Sequence, residues 1–362
     1  MLSGLLPSSR ATAMRPIIMR VGIMRVGLVL GAFVSCCWIA WATPSLAQVS
    51  GPVSGQVSGQ VTWQMATEYP QSSISGAGLS TFGNLVAAQT KGLVTTTTAF
   101  DNELKITSAD MIQAARDRRI AGGDAFAGPL EATDPIFGLA SLPFVVQSIE
   151  AAKTVNGKAK PLYSDALKAR GLRLLYVTIW PATGVWSTRP IKSPDDLKQL
   201  AIRAYDKNSA EVMKAVGAVA EYLPFNEAIA RIKDHRLNAV LTSGDGGAGR
   251  KLWDDLRFFT AINYAIPVSI AFVREADFAA LSPEVQEQVI AAADETERSQ
   301  HDLLANRTAE NYKRMKANGV TIDASPSASV IEALKSAGSK PVSAWRAKVS
   351  PEAGSLLDLA TR

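Results

Sequence analysis

Arg203 sits inside the stretch DLKQLAIRAYDKN, residues 196–208. Its middle, Leu200-Ala201-Ile202-Arg203-Ala204-Tyr205, is short, largely apolar and bounded by charge, which predicts a strand. A guanidinium is almost never fully buried without a partner. Its planar fork matches a carboxylate and can hold it by two parallel hydrogen bonds. Three partners suit such a position: water at a strand edge, an acid of the protein, or an anionic ligand in a cleft. Desolvation inside a cleft would strengthen the last of these.

Other chemistries find less support. The chain has two histidines, His235 in RIKDHR and His301 in ERSQHDLL, neither near a second ligand. This argues against a histidine metal site or a Ser-His-Asp triad. The acid pairs Asp195-Asp196 and Asp254-Asp255 are adjacent, and neighbours do not share a helix face, so no general acid and base emerge. Gly244-x-Gly246-x-x-Gly249, in SGDGGAG, matches a dinucleotide fingerprint after a strand. The helix expected after it is short, and no acid lies some twenty residues on, near Ser269. The glycines read better as a loop where backbone approaches a ligand or a neighbour.

The amino terminus bounds the problem. Arg10, Arg15, Arg20 and Arg25 precede an apolar run, Val26–Trp41, and Ser45-Leu46-Ala47 offers a small-residue cleavage site. This pattern predicts a secretory signal peptide over residues 1–47, with Met14, Met19 or Met24 as alternative starts. The run is short of the roughly 20 residues a spanning helix needs, so no membrane insertion is expected after cleavage. Removing residues 1–47 leaves 34 cationic against 33 acidic residues, a net charge of +1. Nucleic acid is therefore not an expected partner. Cys36 and Cys37, the only cysteines, leave with the leader, and with them any disulfide or thiol nucleophile.

Residues 48–60, QVSGPVSGQVSGQ, read as a flexible linker. Strand and helix patterns then alternate, as in a parallel α/β sheet: strands over VTWQMA, GLVTTTTAFD and IAGGDAFAGP, with helices over 77–90 and ADMIQAARDRR between them. GLRLLYVTIWP (171–181) and INYAIPVSIAFVR (262–274) are long strands suited to cross between lobes. In the intervening region SPDDLKQL shows helix-start chemistry, and the strands VAEYLPF and LNAVLTS flank the helix NEAIARIKDHR. Ser282-Pro283 opens a helix running to Ala317, stopped by Asn318-Gly319 and about 50 Å long, enough to lie across two lobes. The expected division is lobe I over 61–178, with part of 265–362 returning to it, lobe II over 179–264, the spanning helix over 282–317 and a C-terminal helical segment over 318–362.

The segments AGPLEATDPIFGLASLPFVVQSIEAA, STRPIKSPDDLKQLAIRAYDKN, AVGAVAEYLPFNEAIARIKDHRLNAV and READFAALSPEVQ, in this order, resemble the solute-binding subunits of tripartite ATP-independent periplasmic (TRAP) transporters, the DctP-like family. The resemblance runs from about Thr62 to Ala317. It implies an α/β, two-lobed periplasmic solute-binding fold (type II-like) that closes on a small organic acid, with a long helix spanning both lobes. It carries the family's carboxylate-binding arginine, in LKQLAIRA, to Arg203. Departures narrow the expectation. Thr242 stands where a pocket Asn is usual, a second arginine is replaced near Thr183 or Val185, and Ala121 replaces an acid while Asp124 appears slightly later.

These readings give a periplasmic protein without catalysis or cofactor. With the resemblance, they imply that it would capture a monocarboxylate with an apolar or aromatic body and deliver it to the membrane permease subunits of a TRAP transporter. Arg203 would anchor the carboxylate, Thr242, Ser243, Glu68 and Asn263 would add polar contacts, and Trp180, Tyr205, Phe225 and Phe126 would face the body or pack the core. Hinges are expected near 178–180 and 266–268. The rivals are a binding protein of an ABC importer or receptor, an exported enzyme acting on a small acid, and a structural or adhesive protein.

Overall fold

The computed structural model describes residues 59–360; the predicted leader and nearly all of the predicted linker lie outside the described residues. Eleven strands occur among them: β1 Val61–Thr67, β2 Val94–Ala99, β3 Gly122–Phe126, β4 Leu172–Ile179, β5 Thr183–Ser187, β6 Ala201–Ala204, β7 Val219–Tyr222, β8 Ala239–Ser243, β9 Phe258–Thr260, β10 Val268–Arg274 and β11 Thr321–Asp323. They form two sheets, in the orders β2-β1-β3-β10-β4 and β11-β9-β5-β8-β6-β7. The fold is thus α/β and two-lobed, one sheet to each lobe.

Both sheets are mixed, and not parallel throughout as the strand–helix alternation suggests. β1 pairs in parallel with β2 and β3, whereas β10 is antiparallel to β3 and β4. β4 carries the chain out of the first sheet and β10 brings it back, so these neighbours run oppositely. In the second sheet β5 is antiparallel to β8 and β9, while β6 is parallel to β7 and β8. The expected strand over 262–274 begins only at Val268. Pro267 has no N–H to give a ladder, and Asn263 takes a left-handed φ of 49°, so 261–267 is an irregular connection.

The first sheet buries one face under helix Ile74–Gln89 and the start of the long helix. Trp63, Met65, Leu79, Phe82, Val86, Tyr176, Ala271, Val289 and Ala292 make that core. The long helix, Pro283–Ala317, is capped by Ser282, whose Oγ accepts from Val285 N. Its buried residues Val285, Val289, Ala292, Thr296, Gln300, Leu304, Asn311 and Met315 recur every three or four positions, one stripe of an α-helix. The stripe starts against the first sheet and ends at Met315, in contact distance of Gly244 beside the second. One helix therefore touches both lobes.

The glycine-rich segment is a short helix, Gly244–Gly249, and not a loop; Ser243 caps it by accepting from Gly246 N at 3.1 Å. The expectation of close approach holds within it. A β-carbon at Gly247 would lie 2.2 Å from the Trp186 ring, and Trp186 is fully buried, so the ring has nowhere to move. Gly247→Ala is expected to destabilise the protein by about 1–3 kcal/mol, the usual cost of overpacking, read from its midpoint in urea.

Candidate ligand-binding cleft

Tyr69, Phe126, Trp180, Thr183, Arg203, Tyr205, Thr242, Ser243 and Pro267 enclose one cavity between the sheets. Tyr69 follows β1, Phe126 ends β3, Trp180 follows β4, Tyr205 follows β6, and Thr242 and Ser243 end β8. Carboxyl ends of strands converge here, where ligands bind in open α/β sheets. The cavity measures about 10 Å³, close to what one water needs. The lobes are shut, and a larger guest enters only when they part.

Arg203 is 3% exposed. Its Nε donates to Leu223 O at 2.9 Å and its Nη1 to Leu241 O at 3.4 Å. Among the described residues no carboxylate pairs with it, and none accepts a hydrogen bond from Nη2. The guanidinium lies 4.9 Å from the Phe225 ring centroid, and Arg250 lies 4.8 Å from the same ring. Burial works chiefly against the charge of Arg203, while Tyr69 and Glu68 favour it. An arginine nevertheless stays protonated, so the cavity wall carries a positive charge that no carboxylate among the described residues pairs with directly.

Aromatic rings make the opposite wall. Tyr69 and Trp180 have centroids 4.7 Å apart, and Phe126 lies edge-on to both Trp180 and Tyr205. Trp180 Nε1 donates to Ser269 Oγ at 2.9 Å, which fixes the indole plane. Asp124, wholly buried, accepts from Ser75; burial pushes its carboxyl up to about 7 against the hydroxyls of Ser75 and Ser269. The Tyr205 hydroxyl is buried without a hydrogen bond of normal geometry, with Thr183 beside it.

Of the residues expected at the site, Arg203, Thr242, Ser243, Trp180, Tyr205 and Phe126 come together in the cavity. Three do not. Glu68 is buried with both oxygens engaged, accepting from Ser108 N and Phe225 N at 2.8 Å each; it seats Phe225 and does not line this cavity. Phe225 lies behind Arg203 as its ring platform. Asn263 is exposed in the connection before β10, its carbonyl accepting from Gln147. Sequence reasoning did not place Tyr69, Thr183 or Pro267 among the ligand-facing residues. The position of Tyr69 just past the end of a parallel strand was the available signal.

Contacts between the lobes ring the cavity. Arg250 donates to Glu68 O at 2.6 Å and pairs with Asp101 at 2.6 Å. Asp245, 1% exposed, accepts from Arg307 Nε at 2.5 Å, Asn311 Nδ2 at 2.9 Å and Ile74 N at 2.8 Å. Among the described residues no group of three or more acids, histidines or cysteines is placed to hold a metal, and no helix is long and apolar enough to cross a membrane.

A sequence model of bacterial extracellular solute-binding protein family 7, DctP, matches residues 65–344. The chain belongs to this family. DctP proteins are the solute-binding subunits of TRAP transporters, and this member shows the two-lobed architecture. It is 27% identical over 255 residues, 67% of this chain and 74% of the relative, to the 2,3-diketo-L-gulonate-binding periplasmic protein YiaO of Escherichia coli. Two solved structures share the fold. DctP7 of Bordetella pertussis, an extracytoplasmic solute receptor binding pyroglutamic acid, has a TM-score of 0.79 at 23% identity, covering 83% of this chain and all of that one. The sugar acid binding protein DctPAm of Advenella mimigardefordensis, in complex with galactonate, has a TM-score of 0.78 at 20% identity, covering 84% and 98%.

Proposed function

We propose that this DctP protein is a periplasmic receptor that captures a compact monocarboxylate with an apolar or aromatic body and hands it to TRAP permease subunits. One observation carries the reading: a buried guanidinium with uncommitted N–H groups on the wall of an aromatic cavity, and no acid among the described residues paired with it. A ligand carboxylate supplies the missing charge. Among the described residues Arg203 is the only cation lining the cavity, which favours one carboxylate over two. That relatives bind pyroglutamate and sugar acids supports an acid of small size.

The connections between β4 and β5 and between β9 and β10 join the sheets and act as the hinges in this reading. An acid shifts the protein toward a closed form wide enough to hold it, and only through its preference for that form. The Tyr205 hydroxyl suits an uncharged polar group on the ligand, such as a hydroxyl, keto or lactam group.

The test is thermal unfolding of the protein with pyroglutamate, phenylacetate, succinate and glucuronate. Binding at 100 times Kd stabilises by about 2.7 kcal/mol, so a monocarboxylate is expected to raise the midpoint and succinate to leave it unchanged. A shift with succinate alone overturns the reading, as does chemical turnover of a bound acid.

A further inference from the structure

Asp206 follows Tyr205 in the chain, lines a groove with Gly128, Glu131 and Asn208, and caps helix Lys207–Ala215. Its Oδ1 accepts from Ser209 N at 2.7 Å and Ser209 Oγ at 2.6 Å. Its Oδ2 is buried with no partner among the described residues, and so is Ser141 Oγ in the other lobe. Both oxygens crowd Gly128: a β-carbon there would lie 2.7 Å from Asp206 Oδ2 and 2.9 Å from Ser141 Oγ. Gly128 thus supplies the gap into which the second lobe sets Asp206. Asn208 Nδ2, two residues on, donates to Glu131 Oε2 at 2.5 Å beside the same gap.

We propose that Asp206 is a closing contact between the lobes that docks as the neutral acid, so that closure takes up a proton. A carboxylate oxygen shut away from water with no donor is costly, and protonation removes the charge that makes it so. The surroundings do not offset a negative charge. Tyr205, Tyr222 and Tyr264 present neutral phenols to it, and Glu131 adds a like charge. Arg203 favours its charge, behind burial and the bonds from Ser209; Lys207, Glu211 and Lys348 line the groove outside, with Lys348 3.8 Å from Glu131. Burial raises the Asp206 carboxyl to about 6 against the two bonds from Ser209.

The sign follows from linkage. The shut form has the higher value, so closure is favoured at low pH, and the advantage disappears as pH rises through about 6. The ratio of shut to open protein should therefore rise about tenfold from pH 7 to pH 5. This rests on two-lobe closure but not on the identity of the ligand, so the test uses no acid. Dyes on cysteines introduced at exposed Asn84 and Lys233 report lobe separation by single-molecule energy transfer between pH 5 and 8. Asp206→Asn keeps a good helix cap and mimics the neutral acid. It is expected to hold the low-pH ratio throughout, and Gly128→Ala to favour the open form at every pH. A wild-type ratio independent of pH overturns the proposal. So does a pH dependence that persists in Asp206→Asn or disappears instead in Glu131→Gln.

Discussion

Arg203→Met is expected to abolish acid binding while the fold survives. Removing one partner of a buried, hydrogen-bonded charge pair costs about 2–5 kcal/mol, or roughly thirtyfold to several-thousandfold in Kd. Methionine roughly keeps the length of the side chain and its contact with Phe225, and it removes a charge that burial already disfavours. It loses the bonds to Leu223 O and Leu241 O, so the ligand-free stability should fall by about 1–3 kcal/mol for each carbonyl left unpaired. The measurement is a pair of calorimetric titrations and melting curves, wild type against variant, with the best acid from the panel. An unchanged Kd would remove Arg203 from the site.

The second large effect is expected at Asp245, a residue no chemical motif in the sequence singles out. Its carboxylate joins the helix after β8 to the long helix through Arg307 and Asn311, and to the start of helix Ile74–Gln89 in the opposite lobe through Ile74 N. The bond to Ile74 N crosses between lobes and is broken when they part. A hydrogen bond to a charged group contributes about 1.5–3 kcal/mol, so Asp245→Ala should weaken acid affinity about tenfold to a hundredfold. The loss belongs in the dissociation rate, because the contact forms only after the lobes meet. Stopped-flow binding separates the two rates, and a lower association rate with unchanged dissociation would contradict a latch. Arg307→Gln should act in the same direction but less, since the Ile74 bond remains.

Much of the architecture was legible because it depends on local chemistry. Ser282-Pro283 and Asn318-Gly319 mark the ends of the long helix, and 35 residues between them demand a span longer than one lobe. Arg203 was legible for the same reason: a guanidinium within an apolar strand is anomalous wherever the strand goes. The direction of β10 was not legible, because antiparallel pairing with β3 and β4 depends on the chain leaving one lobe and returning. The helix over Gly244–Gly249 was obscured by glycine, whose low helix propensity is overruled where Ser243 caps the turn and Trp186 leaves no room for a side chain.

The site divides in the same way. Thr242, Ser243, Trp180, Tyr205 and Phe126 lie beside strand ends that pattern alone locates, and they meet in the cavity. Glu68 lies at such an end too, yet its carboxylate turns away to hold Ser108 N and Phe225 N. Which way a side chain leaves a strand end depends on partners distant in sequence. The sequence by itself determined the elements, their order and the presence of one out-of-place cation, because capping, periodicity and charge act over a few residues. Only the tertiary structure decided that Arg203 meets aromatic rings and no acid, that Asp245 and Asp206 reach the opposite lobe, and that Glu68 does not reach the cavity. Those outcomes follow from contacts such as Ile74 with Asp245 and Gly128 with Asp206, which exist only once two sheets from separate stretches of chain are brought face to face.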